Sequence, residues 1–271
     1  MRRFRLLQYA YVFLSLLLVA PLCTRLQAQL EPGDPDYDPS LSDYQNLAAT
    51  LLAEDVKYTY GGELWTDSVF VSFDFVVYNS THEELVRYHN EWNRLTDEAV
   101  LSGTLPDGRS YEVRFSDLSQ RTGTMMVDSV PVPQEHLKEA LRNSYDRLNN
   151  NLRWLLTPVR LLDSGITLQL LNDSGIDGKW MTPMKVNFND SLSSTSHALV
   201  YINANYKNIE RWRISYEGVD KEYIWRLTRR VGPYLFATRL WADDFKTYIQ
   251  LERIKVKLLP DDDVAQNNNG K

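Results

Sequence analysis

Cysteine is almost missing from these 271 residues: the one present is Cys23, inside an apolar N-terminal stretch. A disulfide framework, a CxxC redox pair, a thiolate zinc site and a cysteine nucleophile are thereby excluded for the chain that follows it. Positive charge is also in short supply. There are 30 Lys and Arg against 36 Asp and Glu, a formal net charge of −6. The first 28 residues hold four arginines (Arg2, Arg3, Arg5, Arg25) and no carboxylate, so without them 26 cations face 36 acids, a net charge of −10. Nucleic acid, whose phosphates need Lys and Arg, is a poor partner for such a chain. No GxSxG, P-loop or GxGxxG occurs, and no repeat at a solenoid or propeller period. What remains is a globular composition, 43% hydrophobic and 24% charged, long enough to bury a substantial core.

The N-terminus reads as an address. Met1–Arg5 is basic, Leu6–Leu22 is an almost wholly apolar run of 17 residues, and Ala28 precedes Gln29. A basic start, an apolar run and a small residue at the end make a secretory signal peptide, with cleavage expected after Ala28. A retained membrane anchor and a lipid-modified Cys23 are the alternatives; Leu22 stands where lipoprotein signals place a small residue. No later segment is apolar for long enough to span a bilayer, so the mature chain is expected in the periplasm or outer envelope without a transmembrane span. Residues 29–42, rich in Pro, Asp, Gly and Ser, read as a disordered leader, and residues 260–271 as a polar tail. Between them, 43–259, no composition break marks a linker.

Within that span the pattern is mostly of period two. Val69, Val71, Phe73, Phe75 and Val77 alternate, as do Val86, Tyr88 and Trp92 with Asn90 interrupting, and Tyr111, Val113 and Phe115 after an Asp107–Gly108 turn. Val200, Ile202, Ala204 and Tyr206 follow; then Trp212, Ile214 and Tyr216; Tyr223, Trp225 and Leu227; Tyr234, Phe236, Thr238 and Leu240; and Ile254, Val256 and Leu258. Two stretches have helical spacing instead. Ser42–Glu54 places Tyr44, Leu47 and Leu51 on one face with Ser42 as cap, and Gln134–Leu156 repeats Leu137, Leu141, Tyr145, Leu148, Leu152 and Leu155, with Pro158 expected to end it. The predicted class is α+β: a large antiparallel meander curled to hide its edges, one N-terminal helix and one long mid-chain helix.

Signs of catalysis are thin. Asp163-Ser164-Gly165 and Asp173-Ser174-Gly175 look like the loops of an aspartic-protease dyad, but one strand separates them by roughly 20 Å. His82-Glu83-Glu84 opens like HExxH, yet Val86 stands at the second histidine's place. His136 and His197 show no ligand spacing, so neither metal nor cofactor is expected. His89 shares a strand face with Glu91 and Asn93 and is the candidate general base, or else an ordinary hydrogen-bonded strand histidine. The strand Trp225-Arg226-Leu227-Thr228-Arg229-Arg230 could meet anionic head groups or be a solvated face. Aromatics are the positive feature, 16 Tyr, 9 Phe and 7 Trp. They fit a sheet core, an amphipathic cavity lining or, less well, a sugar-stacking surface.

Several stretches resemble the LolA/LolB-like envelope proteins, which hold lipidated molecules in an open half-barrel closed by helices, and within them an uncharacterised family of secreted bacterial proteins. They are Tyr60-Gly61-Gly62 with Trp65, His89-Asn90-Glu91-Trp92-Asn93-Arg94, and Trp154 to Gly165, which is similar to the pattern W-L-x-x-P-x-K-L-x-D-x-G; Trp212 stands where a strand Trp belongs. Arg160 replaces the pattern's Lys, and residues 191–196 are poorer in glycine than the family's. The resemblance implies a half-barrel with the long helix on its concave face and a non-enzymatic role binding a lipid or lipidated partner. It implies groove residues Trp65, Phe73, Tyr88, Trp92, Tyr145, Trp154, Leu155, Trp212 and Trp225, with His89, Arg94, Arg160 and Asp163 as polar candidates. The rival readings are an envelope scaffold whose barrel is filled by its own helices and which binds other envelope proteins, and a hydrolase using His89.

Overall fold

The computed structural model describes residues 39–188, 197–216 and 219–259. The expected signal peptide, most of the expected leader, the expected polar tail and residues 191–196 lie outside them. The chain divides after Tyr44: before it the described part is the opening of a helix, and from Gln45 onward there is one compact unit.

That helix, α1 (Pro39–Thr59), begins three residues before Ser42, which therefore sits in its first turn and not at its cap. Leu47 and Leu51, expected to face the core, are 57% and 53% exposed. The buried stripe is Ala49, Ala53, Val56 and Tyr60, one face at steps of three and four. Two apolar stripes compete on this helix. The one carrying alanines wins because small side chains let the helix backbone come close to what it packs against.

The strands form a single 14-stranded antiparallel sheet. On one side of the seam lie β1 (Val69–Asn79), β2 (Glu84–Asn93), β3 (Glu98–Thr104), β4 (Ser110–Asp117), β5 (Thr122–Val127) and β6 (Val130–Pro131). On the other lie β7 (Ile166–Leu170), β8 (Ser174–Ile176), β9 (Lys179–Phe188), β10 (His197–Asn203), β11 (Ile209–Tyr216), β12 (Val219–Val231), β13 (Tyr234–Ala242) and β14 (Thr247–Leu258). The first half is a meander, and so is the second from β9 to β14, while β7 and β8 both pair with β9. The first strand pairs with the last, Val69 opposite Leu258 through Asn79 opposite Thr247, and this seam joins the halves. The sheet is an open half-barrel. Its edges are blunted by the two-residue β6 with its Pro131 and by the five-residue β7.

Helix α2 (Gln134–Arg160) links the halves and lies on the concave face. It runs two residues beyond Pro158, which was expected to end it. A proline in the last turn forfeits only the bond to the Trp154 carbonyl, and the helix stops before more bonds are needed. Leu227 was expected inward. Its φ is instead 50° and it is 58% exposed, with the β12–β13 register unchanged on either side of it. Ala204 and Tyr206 were expected on a strand but fall in the turn after β10, where Asn203 Oδ1 accepts from the Asn205 and Tyr206 amides at 3.0 and 3.1 Å. Pro183, inside β9, loses no sheet bond. Its carbonyl accepts from the Leu171 amide at 2.9 Å, so its amide side faces the break between β7 and β8.

β13 and β14 pair over only three positions, Arg239–Trp241 against Gln250–Tyr248, and then part. The turn after α1 enters near that gap. The Leu235 amide donates to the Tyr60 carbonyl at 3.0 Å and the Tyr234 hydroxyl to the Leu64 carbonyl at 2.9 Å. Gly61 has φ 74°, and a Cβ there would lie 2.2 Å from the Pro233 oxygen, so only glycine fits.

Candidate functional site

The concave face is divided in two along α2. Under its C-terminal half Trp154 meets Trp212 and Tyr223, each at 4.8 Å between ring centroids, and Trp212 stacks on Trp225 at 5.8 Å. Leu148, Leu152, Leu155, Leu156 and Val159 are at most 2% exposed. Phe73 is fully buried, Trp65 and Trp92 nearly so, and Trp65 meets Tyr234 edge-on at 5.9 Å. Seven of the nine expected groove residues (Trp65, Phe73, Trp92, Trp154, Leu155, Trp212 and Trp225) thus sit in closed core with α2 seated on it. The indole N–H groups of Trp65, Trp212 and Trp225 are buried with no acceptor among the described residues.

An amide pair that the sequence pattern hides pins the helix there. Asn90 interrupts the alternation of β2, yet it points inward and is fully buried. Asn151 Nδ2 on α2 donates to Asn90 Oδ1 at 2.8 Å, and Asn90 Nδ2 donates to the Tyr88 carbonyl at 3.1 Å. A buried amide needs such partners, so this contact fixes where α2 sits. The break in alternation at Asn90 was the available signal; its partner lies 61 residues away.

Two clefts flank α2. The larger, about 670 Å³, opens between its N-terminal half and the ends of β2–β4, walled by Val86, Tyr88, Leu105, Tyr111, Met125 and Arg147. The Arg147 guanidinium lies over the Tyr88 ring, 4.7 Å from its centroid, and bonds its hydroxyl. Burial pushes the Tyr111 phenol up to about 12, with nearby Arg147 pulling the other way, so it stays a neutral donor. No carboxylate among the described residues pairs with Arg147 in an ion pair. The smaller cleft, about 280 Å³, is lined by Tyr145, Arg153, Arg160, Ile166 and Phe188. Tyr88 and Tyr145 are therefore the expected groove residues that border open space.

Three of the polar candidates come together, although they are far apart in sequence. Asp163 accepts from Arg94 at 3.1 Å and from Arg160 at 2.7 Å, and both guanidiniums lie over Trp92, at 5.9 and 4.9 Å. Arg94 also bonds Asp67 at 2.8 Å. This clamp fastens the end of α2 to the turn after β2.

His89, the fourth, is on the outer face. Its Nδ1 is 2.9 Å from Asp74 and its Nε2 is 3.1 Å from Glu91, so both ring nitrogens face carboxylates. Asp74 is fully buried and is held also by Arg87 at 2.7 Å and by Arg253 Nε at 2.6 Å. Burial alone would raise the Asp74 carboxyl, but bonds from His89, Arg253 and Arg87 outweigh it and hold the carboxyl below the usual range. Arg87 reaches on to Glu84 at 2.7 Å and Glu252 at 3.0 Å. In this geometry His89 has no nitrogen left for a substrate proton. The network ties β2, β1 and β14 together across the seam. Among the described residues no His, Asp and Glu cluster could hold a metal ion, and no helix is long and apolar enough to cross a membrane.

No family model matches the chain, and no curated protein does. Among solved structures it is similar to a DUF1329 family protein from Desulfovibrio piger, at 12% identity and a TM-score of 0.49, over 80% of this chain and 95% of that one. It is also similar to a LolA superfamily protein from Nitrosomonas europaea, at 14% identity and a TM-score of 0.49, over 79% and 96%. The fold assignment itself rests on the strand order and the placing of the two helices.

Proposed function

We propose that the chain is an exported, non-enzymatic binding protein of the cell envelope that holds the acyl portion of a lipid or lipidated partner against the concave face of its half-barrel. The observation that carries this reading is the cleft beside Tyr88. Its volume lies within the range of ligand sites, its walls combine Leu85, Val86, Tyr88, Leu105 and Met125 with the polar Glu84, Arg87, Thr104, Asn143 and Ser144, and Arg147 stands at it without an ion-paired carboxylate among the described residues. An acyl chain would lie along Val86, Leu105 and Met125, with an anionic or ester head at Arg147 and the Tyr111 hydroxyl. Residues 1–28 would direct export and be removed, as their basic and apolar regions suggest.

The test is displacement of a fluorescent long-chain fatty acid from the purified protein. Arg147→Glu should weaken its binding at least roughly tenfold, because a carboxylate repels the head group that the guanidinium attracts. Equal binding by wild type and variant would remove the cleft from the reading. The burial of Trp154 and its neighbours supports a second reading, a self-filled scaffold. That reading predicts no displacement at all.

A further inference from the structure

The exposed apolar side chains of this protein are not evenly spread. The turn after α1, the turn after β10, the β12–β13 hairpin and the last residues of β14 all meet at one end of the half-barrel. Contacts fix that placement: the Ile209 amide donates to Tyr60 Oη at 3.0 Å, the Leu235 amide to the Tyr60 carbonyl at 3.0 Å, the Ala204 amide to the Trp180 carbonyl at 3.1 Å, and the Leu259 amide to the Ser68 carbonyl at 2.8 Å. On this end Tyr58, Leu64, Trp180, Tyr206, Leu227 and Leu258 are 49–75% exposed. Between them stand the exposed cations Arg229, Arg230, Lys255 and Lys257, none paired with a carboxylate among the described residues. Most nearby acids are already engaged: Asp67 with Arg94, Asp177 with Arg211, Glu210 with Lys179. Glu63 is exposed there as well.

We propose that this end of the half-barrel docks on an anionic lipid bilayer surface. Trp, Tyr and Leu on separate elements, all but Leu64 next to a Lys or Arg in sequence, suit shallow insertion among head groups, where rings and leucines enter the interface and cations meet phosphates. A protein partner would call for a contiguous apolar patch with a polar rim, and these side chains are scattered singly along the end. The positive charge is local, in a chain whose formal charge is −6. The sequence runs on from Leu259 into Asp261, Asp262 and Asp263, and these carboxylates oppose docking. The proposal does not depend on what the cleft at Arg147 binds.

The protein as processed by its cell, with its N-terminus read by mass, is sedimented with vesicles of phosphatidylcholine alone and of an equal mixture with phosphatidylglycerol. The expected result is binding to the mixture only, lost at high salt. Arg229→Glu with Arg230→Glu, and separately Trp180→Ala with Leu227→Ala, should each lower the partition at least roughly tenfold with unchanged thermal unfolding. Leu85→Ala with Phe245→Ala, at other exposed apolar positions, should leave it unchanged, and Asp261, Asp262 and Asp263 replaced by Asn should raise it. Wild type and end variants share one N-terminus, so any pull from a retained leader cancels. Failure to sediment with the mixture, or equal partition of all variants, would overturn the proposal. So would loss of a soluble acidic protein partner from the Arg229/Arg230 variant while vesicles are never bound, since the surface would then belong to a protein.

Discussion

The two halves of α2 differ in sequence and in fate: residues 134–147 carry six charged side chains, residues 148–160 only two. From Leu148 to Val159 nearly every residue is buried, including Asn151, Arg153 and Thr157, whereas between Gln134 and Arg147 only Leu141 and Ser144 are. The C-terminal half is pinned by an amide pair, a tryptophan stack and the Arg94–Asp163–Arg160 clamp. The N-terminal half rests on strand ends and leaves a cleft. One helix thus closes part of a half-barrel and leaves the rest open. Lifting its buried half would expose several large side chains at roughly 25 cal/mol per Å² of apolar surface, so a ligand gains access far more cheaply at the loose half.

This contrast can be broken most severely at Trp154. Trp154→Ala should destabilise the protein by about 3–5 kcal/mol in denaturant unfolding, because it empties the centre of the tryptophan stack. Leu137→Ala, on the loose half, should cost well under half of that. Next comes the outer face. Asp74→Asn should cost about 2 kcal/mol, since it removes the charge that His89, Arg87 and Arg253 converge on. The sign of its pH dependence follows from a folded-state carboxyl held below its ordinary value. Its stabilisation is fully present above the ordinary carboxylate pKa of about 4 and is lost as pH falls through the lowered folded value. Unfolding midpoints of wild type and Asp74→Asn should therefore converge as pH drops below about 4. Asn151→Ala leaves Asn90 without its partner and should cost about 1–3 kcal/mol. Ala140→Trp fills the open cleft; it should abolish fatty-acid displacement while shifting stability by no more than about 1 kcal/mol. At the small end, Leu47→Ser with Leu51→Ser should change stability by no more than about 0.5 kcal/mol per residue, because that stripe faces solvent.

Much of this architecture was legible in the alternation of the strands and in the threes and fours of α2. The strands with a clean period, such as Val69–Val77 and Tyr234–Leu240, lie where the pattern puts them. β3, β5 and β9 had weak alternation or an internal proline and were not foreseen. The choice between the two stripes of α1 could not be read locally, since it depends on how closely the helix can approach its neighbours. Leu227 follows the alternation on paper, but its backbone takes a positive φ there and its side chain is exposed. Arg94, Arg160 and Asp163 were singled out from separate stretches, and the fold brings them into one clamp. His89 was read as a possible base, but the buried Asp74 opposite it and Glu91 on its own strand occupy both its nitrogens. Asn151 carried no signal, because only the fold sets it opposite Asn90.

The most direct test of the binding claim is native mass spectrometry of the protein as its own cells process it, purified from them without detergent. The account predicts an added mass that extracts into organic solvent and disappears in Ala140→Trp, whose cleft is filled. A bare protein mass for wild type, together with no displacement of fatty acid, would contradict it and leave a half-barrel that α2 fills for structural reasons alone.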